Sequence, residues 1–377
     1  MSLKRNIFEN NPKKTIFIII LVFFIIFSFL VEKICNEPRI EVINKGKERY
    51  IELREHGPFF YAKMILENDE LKTTDDLAGK QFLLRTDENG FIIPSSVYTK
   101  SDFTIAFLGG STTECAFVDE DLRFPYLVGK ILSSNLGLKV NSYNAGVSGN
   151  NTMHSINILL NKVISIHPNV VVMMENINDL VILLVEKSYW NDNPTRSLIV
   201  EKRPVMLDVL SMFANNVFPN LKFYLQRHLQ INPDEFRAKR GTKLIVNKAK
   251  ILDEFAMNLQ TIIDICKIRH ITPVLMTQEN RFNINPDPTI IAYMKSSLFS
   301  YGLSYKEFKD LFDSLNDTIR AIGKKNGILI IDLDKEIPKT REYIYDVVHM
   351  NNNGSKLASQ KIADAIEPLV KNRKSII

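Results

Sequence analysis

A serine directly after two glycines is the residue of this sequence best suited to act as a nucleophile. Residues 103–108 form a short apolar run, typical of a buried strand, and Gly109, Gly110 and Ser111 follow it. Glycines let the backbone turn sharply and let a ligand approach closely. A serine on such a turn can point its hydroxyl outward and attack a carbonyl carbon. The alternative interpretation is an ordinary strand-to-helix turn with Ser111 as helix N-cap.

A histidine near the end of the chain could serve as the base that a nucleophilic serine needs. His349 follows Asp346 by three residues, on one short loop before the last predicted helix. A carboxylate at this spacing can bind the imidazole Nδ1 and hold Nε2 toward a serine. The alternative is a solvent-exposed loop pair. The other histidines lack a carboxylate in this setting: His56, His154, His167, His228 and His270.

Two further loops could supply hydrogen-bond donors to the oxyanion that forms when a serine attacks an ester. Gly149 ends the segment Asn144 to Gly149 and can present a bare backbone N–H. Asn178, in the segment 176–179, can point its side-chain amide inward. Taken singly, Gly149 could be only a turn glycine, and Asn178 with Asp179 only a helix cap.

The elements that must position these residues are short apolar strands alternating with helices. This alternation predicts a parallel α/β sheet, in which ligands bind at the carboxyl ends of the strands. Ser111, Gly149 and Asn178 each follow a predicted strand. The predicted strands are 103–108, 139–145, 169–174, 271–276 and 328–333, and the predicted helices are 123–136, 152–166, 247–268, 305–325 and 353–370.

The N-terminal part of the chain predicts a membrane anchor. Residues 15–31 contain neither charge nor proline, at the short end of the about 17–25 residues that cross a bilayer. Lys4, Arg5, Lys13 and Lys14 precede this run, so the positive-inside rule leaves residues 1–14 in the cytoplasm and everything after residue 31 periplasmic or extracellular. A cleaved signal peptide is the alternative, but no small-x-small site follows, and Glu32 before Cys35 fits lipoprotein processing poorly.

The rest of the chain divides into a lead-in and a larger domain. Residues 32–101 predict a β-containing lead-in that includes two strands around the turn 87–90. Residues 102–377 form the predicted α/β domain, interrupted by a helical insertion at about 189–245. The insertion carries an amphipathic piece, 205–226, and then a basic piece. It predicts a helical cap, or alternatively a lid that contacts membrane headgroups or an anionic glycan.

Charge and cysteine content exclude several classes of protein. The net charge is +5, of which the first 14 residues supply +3, and no Lys/Arg tract indicates nucleic-acid binding. Cys35, Cys115 and Cys266 are odd in number and widely spaced. They therefore predict neither a disulfide framework nor a zinc site.

In their order and spacing, these features together resemble the SGNH (GDSL-type) hydrolases. Within that family the chain looks like a member of a membrane-anchored bacterial branch. The resemblance covers about residues 102–370. Two positions depart from the family pattern: Gly110 stands where the name-giving sequence has Asp, and Asn176 where glycine is usual. The matching segments are residues 109–113 (GGSTT), 144–149 (NAGVSG), 176–179 (NIND) and 346–349 (DVVH).

The resemblance implies a flavodoxin-like three-layer α/β/α sandwich with a five-stranded parallel sheet and ester hydrolysis without a cofactor or metal. It implies Ser111 as nucleophile, His349 as base and Asp346 as its orienter. The oxyanion hole would consist of the N–H groups of Ser111 and Gly149 and the Asn178 amide.

The predicted function is that of a serine esterase acting on O-acyl, in particular O-acetyl, esters of cell-surface glycans or lipids through an acyl-serine intermediate. This substrate class follows from the predicted location and from the family resemblance. Two alternatives use the same fold: an O-acyltransferase that modifies an envelope polysaccharide, and a non-catalytic envelope assembly protein.

Overall fold

The computed structural model describes residues 11–34, 42–43, 51–66, 71, 73–193, 195–201, 217–218, 221, 241, 243–294 and 302–374. The chain separates into two compact units. The first comprises Met1–Arg39 and Lys202–Asp234, and the second comprises Ile40–Glu201 and Glu235–Ile377. Most of the predicted amphipathic piece 205–226 and basic piece of the insertion lie outside the described residues.

The helices and strands are numbered in chain order. The helices are α1 (Pro12–Ile34), α2 (Ser111–Glu114), α3 (Phe124–Leu136), α4 (Thr152–Asn161), α5 (Ile177–Val185), α6 (Lys248–Ile268), α7 (Pro288–Tyr293), α8 (Tyr305–Asn326), α9 (Leu333–Glu336) and α10 (Asn352–Lys374). The strands are β1 (Val42–Ile43), β2 (Ile51–Leu53), β3 (Tyr61–Met64), β4 (Phe82–Arg85), β5 (Phe103–Gly109), β6 (Val140–Asn144), β7 (Val170–Met174), β8 (Ile199–Glu201), β9 (Thr272–Met276) and β10 (Leu329–Ile331).

Helix α1 of the first unit is long and apolar enough to cross a membrane. Its 23 residues have a mean hydropathy of 2.9 over the most apolar window. At 1.5 Å per residue the helix is about 34 Å long, which exceeds the about 30 Å of a bilayer's hydrocarbon core. Length and composition alone support this, and a signal sequence near the N-terminus has the same character.

The second unit is built on a five-stranded sheet in the order β10-β9-β7-β5-β6, with every neighbouring pair parallel. Along β5, Ala106 and Leu108 pack into the core on one face of the sheet with α4, α5, α6 and α8. Phe103, Ile105 and Phe107 pack on the other face with α3 and α10. The predicted parallel sheet and three-layer sandwich are therefore confirmed.

Antiparallel strands accompany the parallel sheet in the segment that precedes it. Strands β1, β3 and β4 form a three-stranded sheet, and Ile92 bridges to both Thr86 and Asn144. Strand β2 pairs with β8, which lies beyond α5 in the chain. This pair was not predicted, because it joins residues that are about 150 positions apart.

The predicted helix 152–166 is wrong in its second half. Helix α4 ends at Asn161, and a short 3₁₀ turn, Val163–Ile166, follows. Lys162 between them leaves helical geometry at φ −132°. Its ammonium donates to the carbonyls of Gly90 at 2.6 Å and His56 at 3.1 Å. Hydrogen bonds to a distant segment therefore accompany the break, and helical periodicity cannot reveal them.

Candidate active site

Ser111 follows the carboxyl end of β5, which lies between β7 and β6 in the sheet, and is the first residue of α2. Gly110 is the N-cap of that helix, so the alternative reading of Ser111 as N-cap is wrong. A Cβ at residue 110 would collide with the Asn178 amide nitrogen and would lie 2.9 Å from the Asn150 carbonyl oxygen. Glycine at this position therefore allows the Asn178 side chain to approach the nucleophile turn.

The structure brings Ser111, His349 and Asp346 into one hydrogen-bonded chain. His349 Nε2 lies 2.7 Å from Ser111 Oγ, and Nδ1 lies 2.6 Å from Asp346 Oδ2. The other carboxylate oxygen, Oδ1, accepts the backbone N–H groups of Val348 at 2.9 Å and His349 at 2.7 Å. The carboxylate is thus fixed by its own loop, and the imidazole is fixed between it and the serine.

The charge near His349 favours its protonated form. Burial of the imidazole opposes protonation, but the nearby carboxylates, Asp346 foremost, together outweigh burial, and the pKa of His349 is raised above its ordinary value. The ring also stacks on Tyr345, with ring centroids 5.5 Å apart. An imidazolium formed by taking a proton from Ser111 is therefore stabilised where it forms.

Gly149 and Asn178 line the same cavity as Ser111. Gly149 has φ +80°, in the left-handed region that favours glycine. Asn178 Nδ2 donates one hydrogen to the Asn150 carbonyl at 2.7 Å, while Oδ1 accepts from Arg196 Nη1 at 2.7 Å. A carbonyl only accepts and a guanidinium only donates, so the orientation of the amide is determined and a second N–H remains for a ligand.

The backbone N–H groups of Ser111 and Gly149 have no hydrogen-bond acceptor among the described residues. Together with the Asn178 amide, they remain the three predicted donors of an oxyanion hole. The alternative interpretation of Asn178 as a helix cap is wrong, since Asn176 is the N-cap of α5.

Asn178→Ala is expected to lower kcat for ester hydrolysis by about 10²–10³-fold, with little effect on KM, because one oxyanion donor is lost. Steady-state turnover of p-nitrophenyl acetate measures this. Asn161→Ala is the matched control, since its amide donates to a carbonyl of its own helix, at the exposed end of α4. An Asn178→Ala enzyme with wild-type kcat would contradict the assignment.

Two polar residues to which the sequence assigned no role in the site, Gln278 and Asn176, hold its loops in place. Gln278 follows β9, donates to Thr112 Oγ1 at 2.9 Å and accepts the Ile177 N–H at 2.9 Å. Asn176 donates to Asn316 Oδ1 at 2.9 Å, so it turns toward α8. The position of Gln278, two residues after a predicted strand, is the available signal. Nothing in the sequence indicated the partner of Asn176.

Glu279 is a buried carboxyl group close to this chain of residues. Neither of its oxygens has a hydrogen-bond partner in another described residue, and its exposed fraction is 0%. Burial raises the pKa of Glu279 to about 8. The carboxyl group is therefore mostly neutral at pH 7.

Glu279→Gln is expected to stabilise the fold more at pH 8 than at pH 5. With the folded pKa raised to about 8 from a usual value of 4.5, the folded state holds a proton that the unfolded state has lost. The resulting stability is complete below pH about 4.5 and is lost as the pH rises to about 8, by roughly 1.4 kcal/mol per pH unit. Glutamine stays neutral and avoids this loss.

The melting temperatures of the wild type and the variant at pH 5 and pH 8 test this. The exposed Glu88→Gln is the control, and its difference from the wild type should not change with pH. A constant difference between Glu279→Gln and the wild type across this range would show that Glu279 is ionised in the folded protein.

The cavity beside Ser111 has a volume of about 370 Å³. Ser111, His349 and Asn178 are among its polar lining residues. Apolar and aromatic side chains form much of the remaining wall. A cavity of this composition accommodates a small acyl group next to a polar reaction centre. The apolar and aromatic lining residues include Leu66, Phe117, Ile177, Val181, Tyr293 and Val348.

Comparison with known proteins finds a family and solved structures to which the chain is similar. The family described as GDSL-like Lipase/Acylhydrolase matches residues 107–357. A GDSL-like lipase from Parabacteroides merdae is 13% identical, with 71% of this chain and 97% of that chain covered and a TM-score of 0.44. The acetylxylan esterase Axe2 from Geobacillus stearothermophilus is 16% identical, with coverages of 71% and 94% and a TM-score of 0.42. No curated protein sequence matches the chain.

Proposed function

Because the chain belongs to the GDSL-like lipase/acylhydrolase family and is an ester hydrolase, we propose that it is a serine esterase acting on O-acyl, in particular O-acetyl, esters of cell-surface glycans or lipids. The observation that carries the proposal is the chain Ser111 Oγ, His349 and Asp346, with hydrogen bonds of 2.7 and 2.6 Å, at the wall of a cavity. Ser111 is the proposed nucleophile, His349 the base and Asp346 its orienter.

Acylation begins when His349 Nε2 takes the proton of Ser111 Oγ and the oxygen attacks the ester carbonyl carbon. The negative charge that develops on the carbonyl oxygen is stabilised by the N–H groups of Ser111 and Gly149 and by Asn178 Nδ2. The carbon–oxygen bond to the alcohol then breaks, and the imidazolium gives its proton to the leaving alkoxide. The acyl group is left on Ser111.

Deacylation repeats these steps with water. His349 takes a proton from the water molecule, the hydroxide attacks the acyl carbon, and the same three donors stabilise the second oxyanion. When the bond to Ser111 breaks, His349 returns the proton to Oγ and the carboxylic acid is released. The Asp346 carboxylate, which raises the pKa of His349, stabilises the imidazolium in both halves of the cycle.

We propose the location of the enzyme from α1. Residues 1–14 would be a cytoplasmic tail and 15–31 the membrane anchor, with the lead-in 32–101 and the domain 102–377 periplasmic or extracellular. The basic residues before the apolar run support this orientation. Protease added outside intact spheroplasts should digest the domain, and full protection would contradict this orientation.

The activity is tested with the full chain in detergent micelles. The wild type should react with a fluorophosphonate probe, with the adduct on Ser111 by mass spectrometry, and should release acetate from an acetylated glycan. Transfer of the acyl group to a glycan acceptor in preference to water would identify an acyltransferase. A folded wild type that neither reacts with the probe nor hydrolyses p-nitrophenyl acetate would overturn the proposal.

A further inference from the structure

We propose that Glu114 and Arg54 are positioning residues that orient the peptide group carrying the Gly149 N–H, one of the proposed oxyanion donors. Both act on Ser148, the residue before Gly149. This inference rests on the proposed function for its catalytic meaning, but the contacts on which it depends belong to the fold.

Glu114 is a buried carboxylate three residues after Ser111, with an exposed fraction of 2%. Its Oε1 lies 2.6 Å from His56 Nε2, and its Oε2 accepts a hydrogen bond from the Ser148 hydroxyl. Burial opposes ionisation, but the hydrogen bonds from His56 and Ser148 outweigh it, and the pKa of Glu114 is lowered. An ionised carboxylate only accepts, so His56 Nε2 and Ser148 Oγ are the donors.

Arg54 binds the backbone carbonyl of Ser148, whereas Glu114 binds its hydroxyl. Arg54 Nη2 donates to the Ser148 carbonyl oxygen at 2.9 Å. That carbonyl and the Gly149 N–H belong to one planar trans peptide group, so they point in opposite directions. Fixing the carbonyl on Arg54 therefore also fixes the direction of the Gly149 N–H.

Close packing restricts the conformations that the loop of Ser148 and Gly149 can adopt. A Cβ on Gly149 would lie 2.7 Å from Arg54 Nη2, so the guanidinium lies directly against the loop. Val147 N–H donates to the Gly109 carbonyl at 3.1 Å, which ties the loop to the end of β5. On the side of α5, Arg196 Nη1 donates to the Gly149 carbonyl at 3.2 Å.

Ser148 allows a test that leaves the fold intact, because the residue as a whole is exposed. Ser148→Ala is expected to lower kcat for p-nitrophenyl acetate about tenfold, less than the about 10²–10³-fold for loss of a whole donor, with KM within about twofold. Ser148→Thr keeps the hydroxyl and should recover most of the lost turnover. Ser134→Ala, an exposed serine on α3, is the matched control with wild-type kinetics.

Glu114→Gln should lower kcat in the same way, and its effect should be less than additive with that of Ser148→Ala, since both act through one hydrogen bond. Equal kcat values in the wild type and Ser148→Ala would overturn the proposal. So would a fall in kcat that Ser148→Thr does not recover, or one accompanied by an equal rise in KM.

Hydrogen exchange read by mass spectrometry gives a measurement that does not depend on activity. Asn150 N–H donates to the Val147 carbonyl at 3.0 Å, so a peptide covering 147–150 reports on the loop. Faster exchange in Ser148→Ala than in the wild type supports the proposal, and unchanged exchange overturns it. An inactive wild type with a loosened loop in the variant would reject the esterase function while retaining the loop contacts.

Discussion

Ser111→Ala is expected to lower kcat for ester hydrolysis by about 10⁶-fold, because Ser111 Oγ is the oxygen at hydrogen-bond distance from His349 Nε2 among the described residues. The hydroxyl is the atom that would bond to the acyl carbon, so its removal prevents the acyl-enzyme from forming. Residual turnover would come from water attacking a substrate that the oxyanion donors still polarise. The fluorophosphonate adduct should also be absent from Ser111→Ala.

The measurement is p-nitrophenyl acetate turnover by the wild type and Ser111→Ala side by side, with protein purified separately for each. Ser314→Ala is a suitable control, since its hydroxyl donates to the Asp310 carbonyl within α8. Turnover by Ser111→Ala within tenfold of the wild type would mean that another residue is the nucleophile.

Asp346→Asn is expected to lower kcat by about 10⁴-fold through the tautomer of His349. Oδ1 of Asp346 accepts two backbone N–H groups, so an asparagine must keep its oxygen there and turn its NH₂ group toward Nδ1. Nδ1 then accepts, and the ring proton moves to Nε2. An Nε2 that carries a proton cannot take one from Ser111.

This effect is read as kcat at the pH of maximal wild-type activity, with the exposed Asp253→Asn on α6 as control. The variant should fold normally, since asparagine has nearly the same shape as aspartate. Loss of only a few fold in kcat would show that the two backbone hydrogen bonds do not determine the amide orientation.

Local sequence pattern alone was enough to predict those residues of the site that share a loop or directly follow a strand. Asp346 and His349 share one loop, and Ser111 follows a strand whose apolar run is unbroken. The parallel sheet then places loops of β5, β6 and β7 at one edge, which gathers Ser111, Gly149 and Asn178 without further information. Their catalytic roles remain predictions until the variants are measured.

Contacts between distant residues could not be predicted in this way. In the sequence, His56 lacks a carboxylate at the spacing of Asp346 and His349, yet Glu114 Oε1, 58 positions away, lies 2.6 Å from its Nε2. Arg196 lies in the predicted insertion, where its contact with Asn178 had no local signal. Hydrophobic periodicity reports which face of an element is buried, and it carries no information about which polar groups meet across the fold.

The pairing of β2 with β8 limits how far the chain can be shortened from its N-terminus without loss of activity. Arg54 directly follows β2, and Arg196 lies three residues before β8, so this two-stranded ribbon brings both arginines to the loop of Gly149. The family match begins only at residue 107. A shortened protein beginning at residue 102 would lack Arg54 and would leave the buried Glu114 without His56. We therefore expect the smallest autonomous catalytic fragment to start before residue 51 and to include the part of the lead-in that carries Arg54 and His56.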